Sequence, residues 1–97
     1  MVSYEKVLPI GTVVLLEGAS QRLMIVGYQR KSAQGGDEVY DYCGCPYPQG
    51  YISPEKTAIF NHDKIARIYA MGLQNDEEIL FEQRLRKLID EREAGNS

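Results

Sequence analysis

Two thiols and the single imidazole of the chain, Cys43, Cys45 and His62, are the residues best suited to chemistry. Together they suggest a soft-metal site or a nucleophile with its base. A structural zinc takes four ligands at paired spacings such as C-x-x-C, whereas this set offers three at another spacing, so neither metal nor cofactor is expected. In a reducing compartment such thiols act as small apolar groups. Asp63 beside His62 would complete an acid–base arrangement with Cys43. Yet Asn61-His62-Asp63 also fits a turn between two strands, in which polar side chains hydrogen-bond their own backbone. Gly11, Gly18 and Gly27 are too far apart to form one phosphate nest, and Gly35-Gly36 lacks a following lysine and helix. No catalytic residue is assigned, and a non-enzymatic protein is expected.

Tyrosine is the unusual component. There are seven, with no tryptophan, and Tyr40, Tyr42, Tyr47 and Tyr51 fall within twelve residues around two prolines. Tyrosine combines rigid contact area with a polar tip, which suits a protein-binding surface. It serves equally well as cross-strand packing over a thin core. A second candidate surface lies near the C-terminus. At about 100° per residue Phe81, Leu85, Leu88 and Ile89 share one helix face, with Leu80 flanking it and Ile79 opposite. That stripe is expected to cover the sheet or to be donated to a partner's groove.

The elements that position these residues are short. Leu8-Pro9-Ile10-Gly11 reads as an entry turn, Thr12–Leu16 as a β-branched strand, and Gly18-Ala19-Ser20 as a reversal into a second, nearly continuously apolar strand from Arg22 to Tyr28. Gly27 marks a bulge or a close backbone approach. Residues 30–37 read as an exposed loop, and Glu38–Cys43 as a third strand with alternating faces. The prolines and glycines of Gly44–Tyr51 are expected to end regular pairing. Ser53-Pro54 opens a short helical turn with serine as its cap, Thr57–Phe60 returns as a strand, and Ile65–Gly72 is a further strand. Asn75 caps a helix from about Asp76 to Arg92, with Glu78 completing a capping box and Glu82–Arg86 and Lys87–Glu91 as outward pairs.

The 97 residues thus predict one domain of α+β class: a small twisted antiparallel sheet or SH3-like barrel of four to five strands, and a C-terminal amphipathic helix. Its β body spans about 8–73, its helix about 75–93, and residues 94–97 form a frayed tail. The net charge of −3 lies wholly in the helical segment, because residues 1–74 balance seven acidic against seven basic side chains. That balance argues against a nucleic-acid partner, which requires a basic stripe to displace counterions. No window approaches the roughly 20 apolar residues of a membrane span, and Met1–Lys6 lacks the order of a signal peptide, so no membrane partner is expected. A cytoplasmic location is expected, with export only alongside a partner.

Four blocks of the chain carry a resemblance: Leu8–Leu16, Leu23–Gly27, Tyr40–Gly50 and Phe60–Ile65. They resemble a family of small bacterial proteins known only as a domain of unknown function, with LPIGSVV, LMIxG, YDYxGxxYPxG and FNHxxI motifs. Thr12 stands where serine is usual and Gln49 where glutamate is usual. Family members are often encoded in type VII secretion clusters of Gram-positive bacteria, beside toxins with an LXG targeting domain. The resemblance implies an accessory role, as a targeting factor or chaperone engaging the toxin or the secretion machinery, and it carries over no catalytic residue. Tyr40, Asp41, Tyr42, Pro48, Gly50, Phe60, Asn61 and His62 are motif positions that define either the fold or a binding surface. An immunity protein whose acidic tail blocks a toxin is the alternative, a small metal- or thiol-dependent enzyme ranks lower, and self-association as a homodimer stays open.

Overall fold

A computed structural model describes residues 7–32 and 35–95, the last three by their backbone alone. Five strands form one antiparallel sheet in the order β4-β3-β2-β1-β5: β1 (Val13–Leu16), β2 (Arg22–Lys31), β3 (Val39–Tyr47), β4 (Ala58–Phe60) and β5 (Ile65–Ala70). The helix α1 (Asp76–Gly95) follows. This is the expected α+β class, with the sheet open: among the described residues β4 and β5 are its two edges and do not pair with each other.

The sheet is nevertheless strongly curled. β4 and β5 lie at opposite edges, yet only Asn61 and the 3-10 turn His62–Lys64 connect them. Five Cα steps reach at most about 17 Å, so the edges must approach on the inner side. The core that fills this curl is Leu8, Val14, Leu23, Ile25, Tyr42, Phe60 and Ile65. Val14 stands opposite Leu23, and Tyr42 opposite Phe60, so the pairing itself places these side chains on one face.

Several expectations are corrected. β3 does not stop at Cys43 but continues through Gly44, Cys45 and Pro46 to Tyr47. Proline is tolerated there because β4 pairs only as far as Gly44, leaving β3 an edge strand beyond it. Likewise β2 runs on to Lys31, so Arg30 and Lys31 belong to the sheet, while residues 33–34 of the expected loop lie outside the described residues. The bulge at Gly27 is present, as a register shift between Ile25 and Gly27. Pro54–Lys56 forms the expected short turn, but the Ser53 side chain makes no capping bond; its extended backbone and Pro54 suffice. The helix extends past Arg92 to Gly95, and Asn96 and Ser97 lie outside the described residues.

The entry turn and the end of β5 cross at two glycines. Gly11 has φ +93°, and its N–H donates to Ile25 O at 2.8 Å. Thr12 is fully buried, and its hydroxyl accepts the Gly72 N–H at 3.0 Å. A Cβ on Gly72 would stand 1.9 Å from Ile10 O, backbone against backbone. Substitution Gly72→Ala is therefore expected to cost about 3 kcal/mol or more, because neither segment can yield without breaking the crossing. Urea unfolding of the variant measures this, and a midpoint within error of wild type would contradict it.

Candidate functional site

The motif residues converge on a buried polar cluster. Tyr42 is fully buried, and its hydroxyl accepts the N–H groups of Val7 at 2.8 Å and Leu8 at 3.1 Å. The same oxygen lies 2.8 Å from His62 Nδ1. With both lone pairs engaged, the hydroxyl has only its proton left to offer, so Nδ1 accepts and the neutral ring carries its own proton on Nε2. Next to it, Asn61 Oδ1 accepts the Asp41 N–H at 3.0 Å, and Asp41 Oδ2 accepts the His62 N–H at 2.8 Å. Asn61 and His62 thus grip β3 rather than their own turn. Burial pushes the Tyr42 phenol up to about 12.

Tyr28 completes the inner wall. Its hydroxyl donates to Leu8 O at 2.5 Å, and its ring packs on Tyr42 and on Phe81 of the helix, with centroids 6.0 and 5.9 Å apart. Burial, reinforced by the nearby Glu78, Tyr42 and Glu82, holds its phenol above the usual range. Two tyrosine hydroxyls therefore pin Val7 and Leu8 to the sheet. Val7 sits at φ +73°, a costly conformation for a β-branched residue that these bonds help to hold.

The thiols and the imidazole weighed from the sequence are not brought together as one set. His62 is on the inner side with Tyr42, whereas Cys43, the next residue along β3, turns outward. Burial raises the Cys43 thiol above its ordinary range, the opposite of activation, although nearby Arg30 counters part of the shift. Cys45 is buried, and both thiols are free. Among the described residues no three of His, Cys, Asp or Glu are grouped to hold a metal.

The tyrosine candidates separate. Tyr42 belongs to the core and Tyr40 is half-buried, while Tyr47 is exposed and Tyr51 is 65% exposed next to the exposed Ile52. Tyr47 precedes a cis proline, and the Gly50 N–H closes that loop on Pro46 O at 2.7 Å.

The helix candidates separate too. Ile89 is buried and Leu85 half-buried, but Phe81 is 50% and Leu88 62% exposed. The helix is turned from the expected orientation: Glu78, Glu82, Leu85, Arg86 and Ile89 make up its covered side. Among the helix side chains described, only Ile89 is buried. A polar tie to the sheet supplements it, from Arg92 to Gln29 on β2, while Arg86 pairs with Glu82 at 2.6 Å within the helix itself. The capping box is only half made. Asn75 Oδ1 accepts the Glu78 N–H at 2.9 Å, but the Glu78 carboxylate oxygens are covered and accept no hydrogen bond. Burial, and then the charge of Glu82, raise that carboxyl above its usual range. Sequence reasoning read Glu78 as a cap and missed its burial, because the spacing that makes a capping box also turns residue 78 towards Tyr28.

These features define a small α+β domain whose polar cluster is architectural and whose exposed apolar side chains are concentrated on one helix and one loop. No helix among the described residues is long and apolar enough to cross a membrane. The chain belongs to the family described as Domain of unknown function (DUF4176), which matches residues 7–81. Neither the curated proteins nor the solved structures give a match.

Two outcomes are expected. Tyr42→Phe strands two buried N–H groups and removes the donor to His62, and should cost about 3 kcal/mol in urea unfolding; a loss below about 1 kcal/mol would contradict the cluster's role. Glu78→Gln should stabilise the domain in a pH-dependent way. A carboxyl whose folded pKa is raised is neutral in both states at low pH and penalises folding as pH rises through the folded value. The stability of the variant over wild type should thus be smallest in acid, below the usual carboxylate range, and grow towards neutral pH. A constant difference across that range would exclude it.

Proposed function

We propose that the protein is a non-enzymatic, protein-binding accessory of a Gram-positive type VII secretion system, a targeting factor or chaperone that engages an LXG-type toxin or the secretion machinery. The observation that carries the protein-binding part is the helix. Leu80 and Leu88 lie on its uncovered side, Phe81 stays half exposed at the border where it touches Tyr28, and Leu73, in the segment leading into it, is 74% exposed. Phe81 and Leu88 are seven residues apart and so share a face, with Leu80 flanking. Exposed apolar residues arrayed at helical spacing suit a hydrophobic partner surface. The secretion context rests on the gene neighbourhoods implied by the family resemblance. Tyr47, Tyr51 and Ile52 supply a second contact area of the kind found at binding hot spots.

Co-expression with the LXG toxin encoded beside the gene, followed by size-exclusion chromatography with light scattering, tests this reading. A co-eluting complex is expected. In the double variant Leu80→Ser/Leu88→Ser affinity should fall at least about tenfold, or about 1.4 kcal/mol, with little change in folding stability because both side chains are already exposed. Absence of a complex with the toxin and with every other secretion component would overturn the proposal. Protection of cells from the isolated toxin domain would instead favour the immunity alternative.

A further inference from the structure

On the outer side of β3, away from the Tyr42–His62 cluster, Cys43 lines a cavity of about 570 Å³. That is within the size range of ligand sites. Ile59 and Pro54 give it an apolar part, and Arg30 and Lys31, where β2 ends, give it two cations. The Arg30 guanidinium lies against the open face of Gly27: a Cβ on that glycine would stand 3.4 Å from Arg30 Nε and 3.7 Å from Cys43 Cβ. The cation thus stands beside the thiol. Glu55 also borders the cavity, yet among the described residues neither Arg30 nor Lys31 is ion-paired with it or with another carboxylate.

We propose that this groove binds a peptide segment of a partner protein that carries a carboxylate next to an apolar side chain, the carboxylate on Arg30 and Lys31 and the apolar group over Ile59. A polyanion fits poorly. The adjoining 3-10 turn Pro54–Lys56 has only three residues and offers no helix terminus, and Glu55 repels additional negative charge. Arginine matches a carboxylate in a planar, bidentate way, and the half-apolar lining rewards a neighbouring leucine-like side chain. This groove is separate from the helix face and does not depend on the secretion reading.

Cys43 provides the readout, because Cys45 is almost wholly buried and should stay silent. The rate of Cys43 alkylation by iodoacetamide is measured on the full chain with a capped hexapeptide of alternating leucine and glutamate, with its glutamine counterpart, and with inorganic phosphate. At ten times its Kd the glutamate peptide should slow alkylation about tenfold by mass action, and the glutamine peptide and phosphate should not. Arg30→Gln and Lys31→Gln should each reduce that protection relative to the same variant without peptide, whereas Arg67→Gln on β5 should keep it. Equal protection by phosphate or by the glutamine peptide would overturn the proposal. So would an absence of protection together with unshifted amide resonances at Arg30, Lys31, Thr57 and Ile59.

Discussion

The Tyr42 hydroxyl is the contact on which the rest of the structure depends. One oxygen joins three pieces of chain that are distant in sequence: the strap at Val7 and Leu8, strand β3, and the turn at His62 that carries the chain from β4 to β5. Each of these groups is buried, so each would carry a desolvation penalty if left unpaired. A phenylalanine would fill the same space and satisfy none of them. The Asp41–Asn61–His62 bonds then fix the register of the turn against β3, so the curl of the sheet is set by hydrogen bonds made at its short edge.

From that curl the distribution of surface follows. A sheet of five short strands closes over only a few side chains, and the inner space is largely filled by Tyr42, Phe60 and the aliphatic residues around them. Little apolar surface remains inside for a helix to cover. The N-terminal strap already occupies part of the inner face, held by Tyr28 and Tyr42. Consequently α1 docks at the margin, touching Tyr28 with Phe81 and burying Ile89, while the other half of its apolar stripe faces outward. The Gly11–Gly72 crossing fixes where β5 ends and hence where the chain departs towards the helix.

How legible this was in the sequence depended on the range of the interaction. The paired apolar runs of β1 and β2, the Gly27 bulge, the Pro54 turn and the Asn75 cap are decided by neighbours a few residues away, and local pattern shows them. The extension of β3 through Pro46 was hidden because proline argues against a strand unless one knows that its partner strand ends two residues earlier. Tyr42 and Tyr40 share a strand face and a motif, and nothing local distinguishes a core tyrosine from a half-buried one. The difference is His62, twenty residues on. The helix periodicity puts Phe81, Leu85, Leu88 and Ile89 on one arc, but it cannot say which half of that arc is covered, and the structure covers Leu85 and Ile89.

The marginal docking of the helix is itself informative. A helix that served only to complete the core would place its apolar arc squarely on the sheet and keep its carboxylates in water. Here the covered side includes Glu78, whose oxygens have lost water without gaining a donor, and Glu82, which must be neutralised by Arg86. A rotation that buried Phe81 and Leu88 would carry Glu78 towards water at the expense of Ile89, and the observed orientation keeps Ile89 in and leaves Glu78 covered. An arrangement that exposes leucines and covers a carboxylate is unfavourable for the isolated domain. The proposed partner would cover the outward leucines and so bury that apolar surface between two proteins, leaving the Tyr42 cluster beneath undisturbed.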